Sequence, residues 1–178
     1  MYANLHSSEV SRAMMEIERK FFVNLDLIGT RLQSYPSVFI RQAYLAVDEV
    51  LKREVRIRDK GGTCTVTIKE GMGLVRKEIE TALSKEQFDA LIVGAQGRII
   101  EKTRYELPIG DYTAEVDIFQ GCLDGLALVE VEFSSEDEAK AFQCPQWFGE
   151  EKTADARFKN VQLATARTPL QICNSTGL

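Results

Sequence analysis

The stretch Met15-Glu16-Ile17-Glu18-Arg19-Lys20-Phe21 sets two carboxylates and an amine two residues apart. On a β-strand, positions i, i+2 and i+4 share a face, so Glu16, Glu18 and Lys20 point the same way. One such strand would be a solvated surface. The pattern returns in Arg56/Arg58, Thr65/Thr67/Lys69, Arg76/Glu78/Glu80, Lys102/Arg104, Glu115/Asp117 and Glu130/Glu132. Apolar residues fill the alternate positions: Ile17, Ile57, Val66/Ile68, Ile79, Val116 and Val129/Val131/Phe133. A half-buried sheet turns its apolar face to the core and its charges to water. Repetition over so many segments, with both signs of charge, also fits a curved sheet whose polar face encloses a lumen. Its apolar outer face would then be covered by helices.

The charge balance narrows what such a lumen would hold. The net charge of −5 argues against a non-specific DNA or RNA binder, which would carry a basic balance. Inside the candidate lumen, however, Lys20, Arg56, Arg58, Lys60, Lys69, Arg76, Lys102 and Arg104 face Glu16, Glu18, Glu78, Glu80, Glu115, Asp117, Glu130 and Glu132. That mixture suits a polyanion arriving with divalent cations. His6 is the only histidine and lies in the leading segment, which argues against Ser-His or Cys-His catalysis and against histidine-ligated zinc. The four cysteines, Cys64, Cys122, Cys144 and Cys173, are widely spaced and form no C-x-x-C pair, so neither a zinc knuckle nor a redox motif is indicated. Gly71-Met72-Gly73 lacks the pattern of a phosphate-cradling loop.

A chain of 178 residues is expected to form one domain with a sizeable core. No apolar run approaches the roughly 20 residues that cross a bilayer, and the N-terminus has neither a basic start nor an apolar core. The expectation is a cytoplasmic protein without a membrane partner. Residues 1–14 read as a polar leader, with Met15 as an alternative start, residues 15–168 as the folded domain and 169–178 as a tail. Strands are expected at about 15–23, 38–47, 52–60, 64–70, 74–81, 98–107, 112–119 and 126–133. Gly61-Gly62 reads as a hairpin turn and Pro108 as a strand stop. Helices are expected after Asn24, after Ser84 with its capping-box Gln87, after Ser134/Ser135, and from Asp155 to about Arg167. The strands are joined by hairpin-length links without βαβ alternation. The fold class is therefore α+β, an eight-stranded antiparallel β-barrel with helices packed outside.

In this order the elements resemble the CYTH superfamily, the triphosphate tunnel metalloenzymes. The defining E-x-E-x-K element matches as Glu16-Ile17-Glu18-Arg19-Lys20. Gln42-x-Tyr44, Arg56-x-Arg58, Thr67-x-Lys69, Arg76-x-Glu78-x-Glu80, Lys102-x-Arg104-Tyr105, Glu115-x-Asp117 and Glu130-x-Glu132 follow in sequence. The closing Thr153-x-Asp155-x-Arg157-Phe158-x-Asn160 also resembles the family, with Phe158 where an aromatic residue, often tyrosine, is expected. Each short element alone is weakly specific; the ordered set, from Glu16 to about Ala166, is not.

The resemblance implies a tunnel that binds a triphosphate-containing small molecule with Mg²⁺ or Mn²⁺. Glu18 and Lys20 are the expected catalytic residues. Lys20, Arg56, Arg58, Lys69, Arg76, Lys102 and Arg104 are the expected phosphate ligands, since guanidinium forks and ammonium groups match phosphate oxygens. Glu16, Glu18, Glu130 and Glu132 are the expected metal ligands, oxygen donors suited to a hard cation. Glu78, Glu80, Glu115 and Asp117 are expected as outer partners or further ligands. The family-based expectation for activity is triphosphate hydrolysis, with inorganic tripolyphosphate preferred. The alternatives are an adenylyl cyclase using the same tunnel and a non-catalytic polyphosphate- or nucleotide-binding module. A homodimer through apolar outer strand faces is a further expectation.

Overall fold

The computed structural model describes residues 14–15, 17–70, 75–95 and 99–166. The remainder of the expected leader, the tail, Glu16 and the Gly71–Gly73 turn lie outside them. The alternating segments form one antiparallel sheet of strands β1 (Met14–Met15), β2 (Ile17–Val23), β3 (Ser37–Asp48), β4 (Arg53–Lys60), β5 (Thr63–Glu70), β6 (Val75–Leu83), β7 (Ile99–Ile109), β8 (Tyr112–Phe119), β9 (Ala127–Phe133) and β10 (Phe148–Glu151). Their order is β1-β6-β5-β4-β3-β7-β8-β9-β2-β10. The described residues thus contain ten strands rather than eight, and the sheet is not closed into a hydrogen-bonded ring. The chain itself joins the two ends. Met14 and Met15 pair with β6, whereas Ile17 through Phe22 pair with β9, so the strands flanking Glu16 lie at one margin of the sheet and one strand in from the other.

Two further differences from expectation have local causes. Pro108 does not end β7 but pairs with Thr113 of β8. The other neighbour, β3, pairs with β7 only as far as Tyr105, so Pro108 sits at a free margin where no partner needs its missing N–H. The single helix expected from Asp155 is instead a 3₁₀ turn, Ala156–Phe158, and a short helix α4, Asn160–Leu163. Extended backbone at Lys159 (φ −70°, ψ 138°) separates them.

The other helices start where their caps predicted. Asn24 accepts from the Asp26 N–H at the start of α1 (Leu25–Leu32). Ser84 and Gln87 exchange both capping-box bonds, at 2.8 and 3.2 Å, before α2 (Lys85–Val93). Ser135 caps α3 (Glu136–Ala141). No helix among the described residues is long and apolar enough to cross a membrane.

Much of the outer face of the sheet is apolar and covered, although Phe39 and Ile79 are exposed. Ile28 and Leu32 of α1 and Ala139 of α3 pack with Ile17, Phe21, Val116, Val129 and Val131, while Phe88 and Ile92 of α2 pack on Ala43, Ile57 and Cys64. The inner face carries one apolar residue at the same end of several strands. Tyr44, Ile100, Phe119 and Leu128 form a cluster with Phe158 and Leu163 of the C-terminal segment, against which Phe22 also packs. This layer lies across one end of the inner face, and the charged residues begin beyond it.

Candidate active site

Strand parity decides which side chains meet. Lys20 lies directly opposite Glu130 across β2 and β9, and Glu18 opposite Glu132. On β3 the inward row runs Ile40, Gln42, Tyr44 and then Val47. A register shift between Tyr44 and Ala46 adds one residue, so Tyr44 faces Arg56 while Val47 faces Glu54. Together these rows enclose a cavity of about 510 Å³. Glu18, Lys20, Arg56, Arg58, Lys69, Glu78, Lys102, Arg104, Glu115, Glu130 and Glu132 line it, whereas Lys60, expected in the lumen, is not on the wall and pairs with Glu106 at 3.3 Å. Glu16 and the Arg76 side chain lie outside what is described. Asp117 is buried behind the wall, and Glu80 is an exposed residue that reaches inward through Thr67.

The charges form two connected groups. Lys20 Nζ lies 2.8 Å from Glu130 Oε1 and donates to the Phe158 carbonyl at 3.2 Å. Arg104 lies side-on against Asp117, with Nε 2.7 Å from Oδ1 and Nη2 2.6 Å from Oδ2. It also reaches Glu130 at 3.1 Å and pairs with Glu115. Lys102 pairs with Asp117 from the other side. Across the cavity, Lys69 pairs with Glu78 at 3.1 Å, and Arg58 lies 3.5 Å from Glu80. Arg56 donates to Thr67 Oγ1 at 3.3 Å, and Thr67 donates to Glu80 at 2.8 Å.

This arrangement sets the protonation states. Burial disfavours the Glu130 charge, but Lys20, Lys102 and Arg104 outweigh it and hold the carboxyl well below its usual range. Burial likewise opposes the Lys20 charge, and Glu130 with Glu18 more than restores it. Burial prevails at Lys102, whose pKa falls despite Asp117. The Arg58 pKa is also lowered, by burial and by the neighbouring Arg56. Burial raises the Tyr44 pKa, which keeps a phenol in the wall rather than a phenolate.

Among the described residues, Gln42 Nε2 and Arg56 Nε are two of the buried side-chain atoms that have no hydrogen-bond partner. Gln42 is 2% exposed and Arg56 9%. A buried donor without a partner costs about 1–3 kcal/mol, so both are unfavourable as they stand.

The cavity also includes residues to which the sequence pattern gave no role. Glu54 shares the face of Arg56 and Arg58, and the same i−2 rule finds it. Lys52 comes from the β3–β4 turn, Arg53 from the first position of β4, and Lys159 and Asn160 from the C-terminal segment. Only the folded chain brings that segment to the wall.

Comparison with known proteins identifies the family. The CYTH domain model matches residues 14–162. An inorganic triphosphatase of Nitrosomonas europaea is 46% identical over 155 residues, covering 85% of this chain and 97% of that protein. An inorganic triphosphatase of Acetivibrio thermocellus is 33% identical over 149 residues, with 83% and 92% covered. A crystal structure of an inorganic triphosphatase superposes with a TM-score of 0.66 at 39% identity, covering 87% of this chain and 97% of that one. A putative adenylate cyclase from Bacillus halodurans shares the fold, with a TM-score of 0.56 at 20% identity over 71% of this chain and 84% of that one.

Proposed function

The chain belongs to the CYTH domain family, and from that premise we propose that it is a metal-dependent triphosphatase acting on inorganic triphosphate. The observation that carries the substrate class is the concentration of cations, Lys20, Arg56, Arg58, Lys69, Lys102 and Arg104, on the wall of one cavity. Such a site is complementary to a linear polyanion. A neutral ligand would bring no charge to meet these cations.

The reaction joins the oxygen of a water to a terminal phosphorus, breaks the phosphoanhydride bond and releases phosphate and diphosphate. Negative charge moves onto the bridging oxygen as that bond breaks. Lys20 and Arg56 are placed to hold the phosphoryl oxygens and stabilise that charge without reorganising, because the fold fixes them beforehand. Glu18 lies on the wall 3.8 Å from Lys20 Nζ. It is the carboxylate we assign to orient the water and receive its proton. Arg104 holds its position through Asp117, and its contact with Glu130 links the basic cluster to the carboxylate row.

The acidic donors fit a hard divalent cation, Mg²⁺ or Mn²⁺. Among the described residues no three His, Cys, Asp or Glu side chains gather to hold a metal by themselves. Glu18, Glu130 and Glu132 are the carboxylates on the wall that would hold the cation. When bound, the cation neutralises phosphate charge and lowers the pKa of its water. The free thiols Cys64, Cys122 and Cys144 support a reducing, cytoplasmic setting.

Product analysis tests the proposal, with tripolyphosphate and with ATP, each in Mg²⁺, Mn²⁺ or EDTA. Metal-dependent phosphate release, fastest from tripolyphosphate, is expected. Cyclic AMP with pyrophosphate from ATP would make the protein a cyclase, and tight binding without turnover would make it a binding module.

A further inference from the structure

Lys20 is held by more than its ion pair. Its backbone N–H donates to Thr153 Oγ1 at 2.9 Å, and its carbonyl accepts from the Lys152 N–H at 2.7 Å. Its ammonium donates to the Phe158 carbonyl at 3.2 Å. One short segment of the C-terminal region therefore grips this residue at its N–H, its C=O and its side-chain nitrogen. The segment is anchored in turn. The Thr153 hydroxyl donates to Glu151 Oε1 at 2.7 Å, and the same carboxylate takes two bonds from Arg19, at 2.9 and 2.7 Å. Arg19 also donates to the Ala139 carbonyl of α3 at 2.9 Å. Phe158 packs edge-on against Phe22 with ring centroids 5.1 Å apart.

An ammonium has three N–H bonds and no acceptor. Glu130 and the Phe158 carbonyl take two of them, which leaves one N–H direction for a ligand in the cavity. A lysine held only by a carboxylate would swing on its flexible stem. Here the second acceptor is a backbone carbonyl whose position depends on the turn that Thr153 pins to β2.

We propose that Thr153 is a positioning residue for the reaction. With the Phe158 carbonyl it forms a clasp that fixes the Lys20 ammonium against the phosphoryl group. This rests on the triphosphatase reading of the cavity. Thr153 touches no reacting atom and acts only through Lys20. Its hydroxyl is needed in both senses, accepting from Lys20 and donating to Glu151, so serine should replace it and valine should not.

The experiment compares wild type, Thr153→Val and Thr153→Ser by steady-state kinetics on inorganic triphosphate and by nitrogen-resolved NMR of the lysine ammonium groups. The Lys20 signal is identified by its loss in Lys20→Arg. Thr153→Val is expected to lower kcat about ten- to a hundredfold, the range for a misplaced catalytic group, with KM within about threefold. Its Lys20 ammonium signal should broaden or shift, and Thr153→Ser should restore both. Should Thr153→Val not accumulate as folded protein, Thr153→Cys supplies a weaker donor and acceptor at the same place and is expected to fall between serine and wild type on one side and inactivity on the other. An unchanged kcat in Thr153→Val, an equal loss in Thr153→Ser, or an undisturbed Lys20 signal overturns the clasp. Wild type that releases no phosphate from triphosphate overturns the triphosphatase reading instead, and the NMR comparison still decides whether Thr153 holds Lys20.

Discussion

Lys20 and Glu130 face each other across neighbouring antiparallel strands, with the ammonium 2.8 Å from the carboxylate. Both are buried, and Arg104 approaches the same carboxylate from a third strand. The pair therefore couples the phosphate-binding side of the cavity to its acidic row, and its loss should register in stability as well as activity.

Glu130 makes stability depend on acid. Its folded pKa lies below the ordinary value of 4.5, because Lys20, Lys102 and Arg104 outweigh the effect of burial. A depressed carboxylate contributes stability that is fully present above the unfolded pKa and is lost as pH falls through the folded one. Thermal melts of wild type should therefore drop between about pH 5 and pH 2. Glu130→Gln should be less stable by about 3 kcal/mol near neutrality, since it leaves Lys20 and Arg104 short of a partner, and should show a shallower acid dependence. Parallel melting curves for the two proteins would remove Glu130 from this role.

Gln42→Leu should separate folding from binding. Deleting a buried donor that has no partner should leave the melting temperature unchanged or raise it, by up to about 1 kcal/mol in stability. Affinity for triphosphate, measured by calorimetry, should fall about tenfold or more if Gln42 Nε2 contacts a phosphate oxygen. A destabilised variant with wild-type affinity would show that Gln42 serves the fold alone.

Arg56→Ala should weaken triphosphate binding by about 1.5–3 kcal/mol, the range for a hydrogen bond to a charged group. Its place on the cavity wall motivates the figure. A dissociation constant equal to that of wild type would take Arg56 out of the substrate site.

Gly61→Ala should destabilise the β4–β5 hairpin. Gly61 has φ +60°, and a Cβ there would come within 2.8 Å of Val38 Cγ2. The expected loss is about 1–3 kcal/mol by denaturant titration. Turnover per folded molecule should be retained, because neither Gly61 nor Val38 lines the cavity.

The sequence determined the chemistry of the inner face. Side-chain parity on a strand is local, so Glu18/Lys20, Arg56/Arg58, Lys102/Arg104 and Glu130/Glu132 had to share faces once those segments were extended. Caps are equally local, and Asn24, Ser84 and Ser135 each start a helix as their side chains dictate. Pairing between strands distant in sequence was decided only in three dimensions. No local signal says that Lys20 lies opposite Glu130, that Arg104 spends its fork on Asp117, or that the bulge near Leu45 turns Val47 inward. Nor does any say that β10 adds to the sheet beside β2. The interrupted C-terminal helix shows the same division. The residues from Asp155 onward read as helix in isolation, yet Lys159 is extended and the Phe158 carbonyl is bonded to the ammonium of a residue 138 positions earlier. A long-range contact of that kind outweighs helix propensity, which is worth only fractions of a kcal/mol per residue.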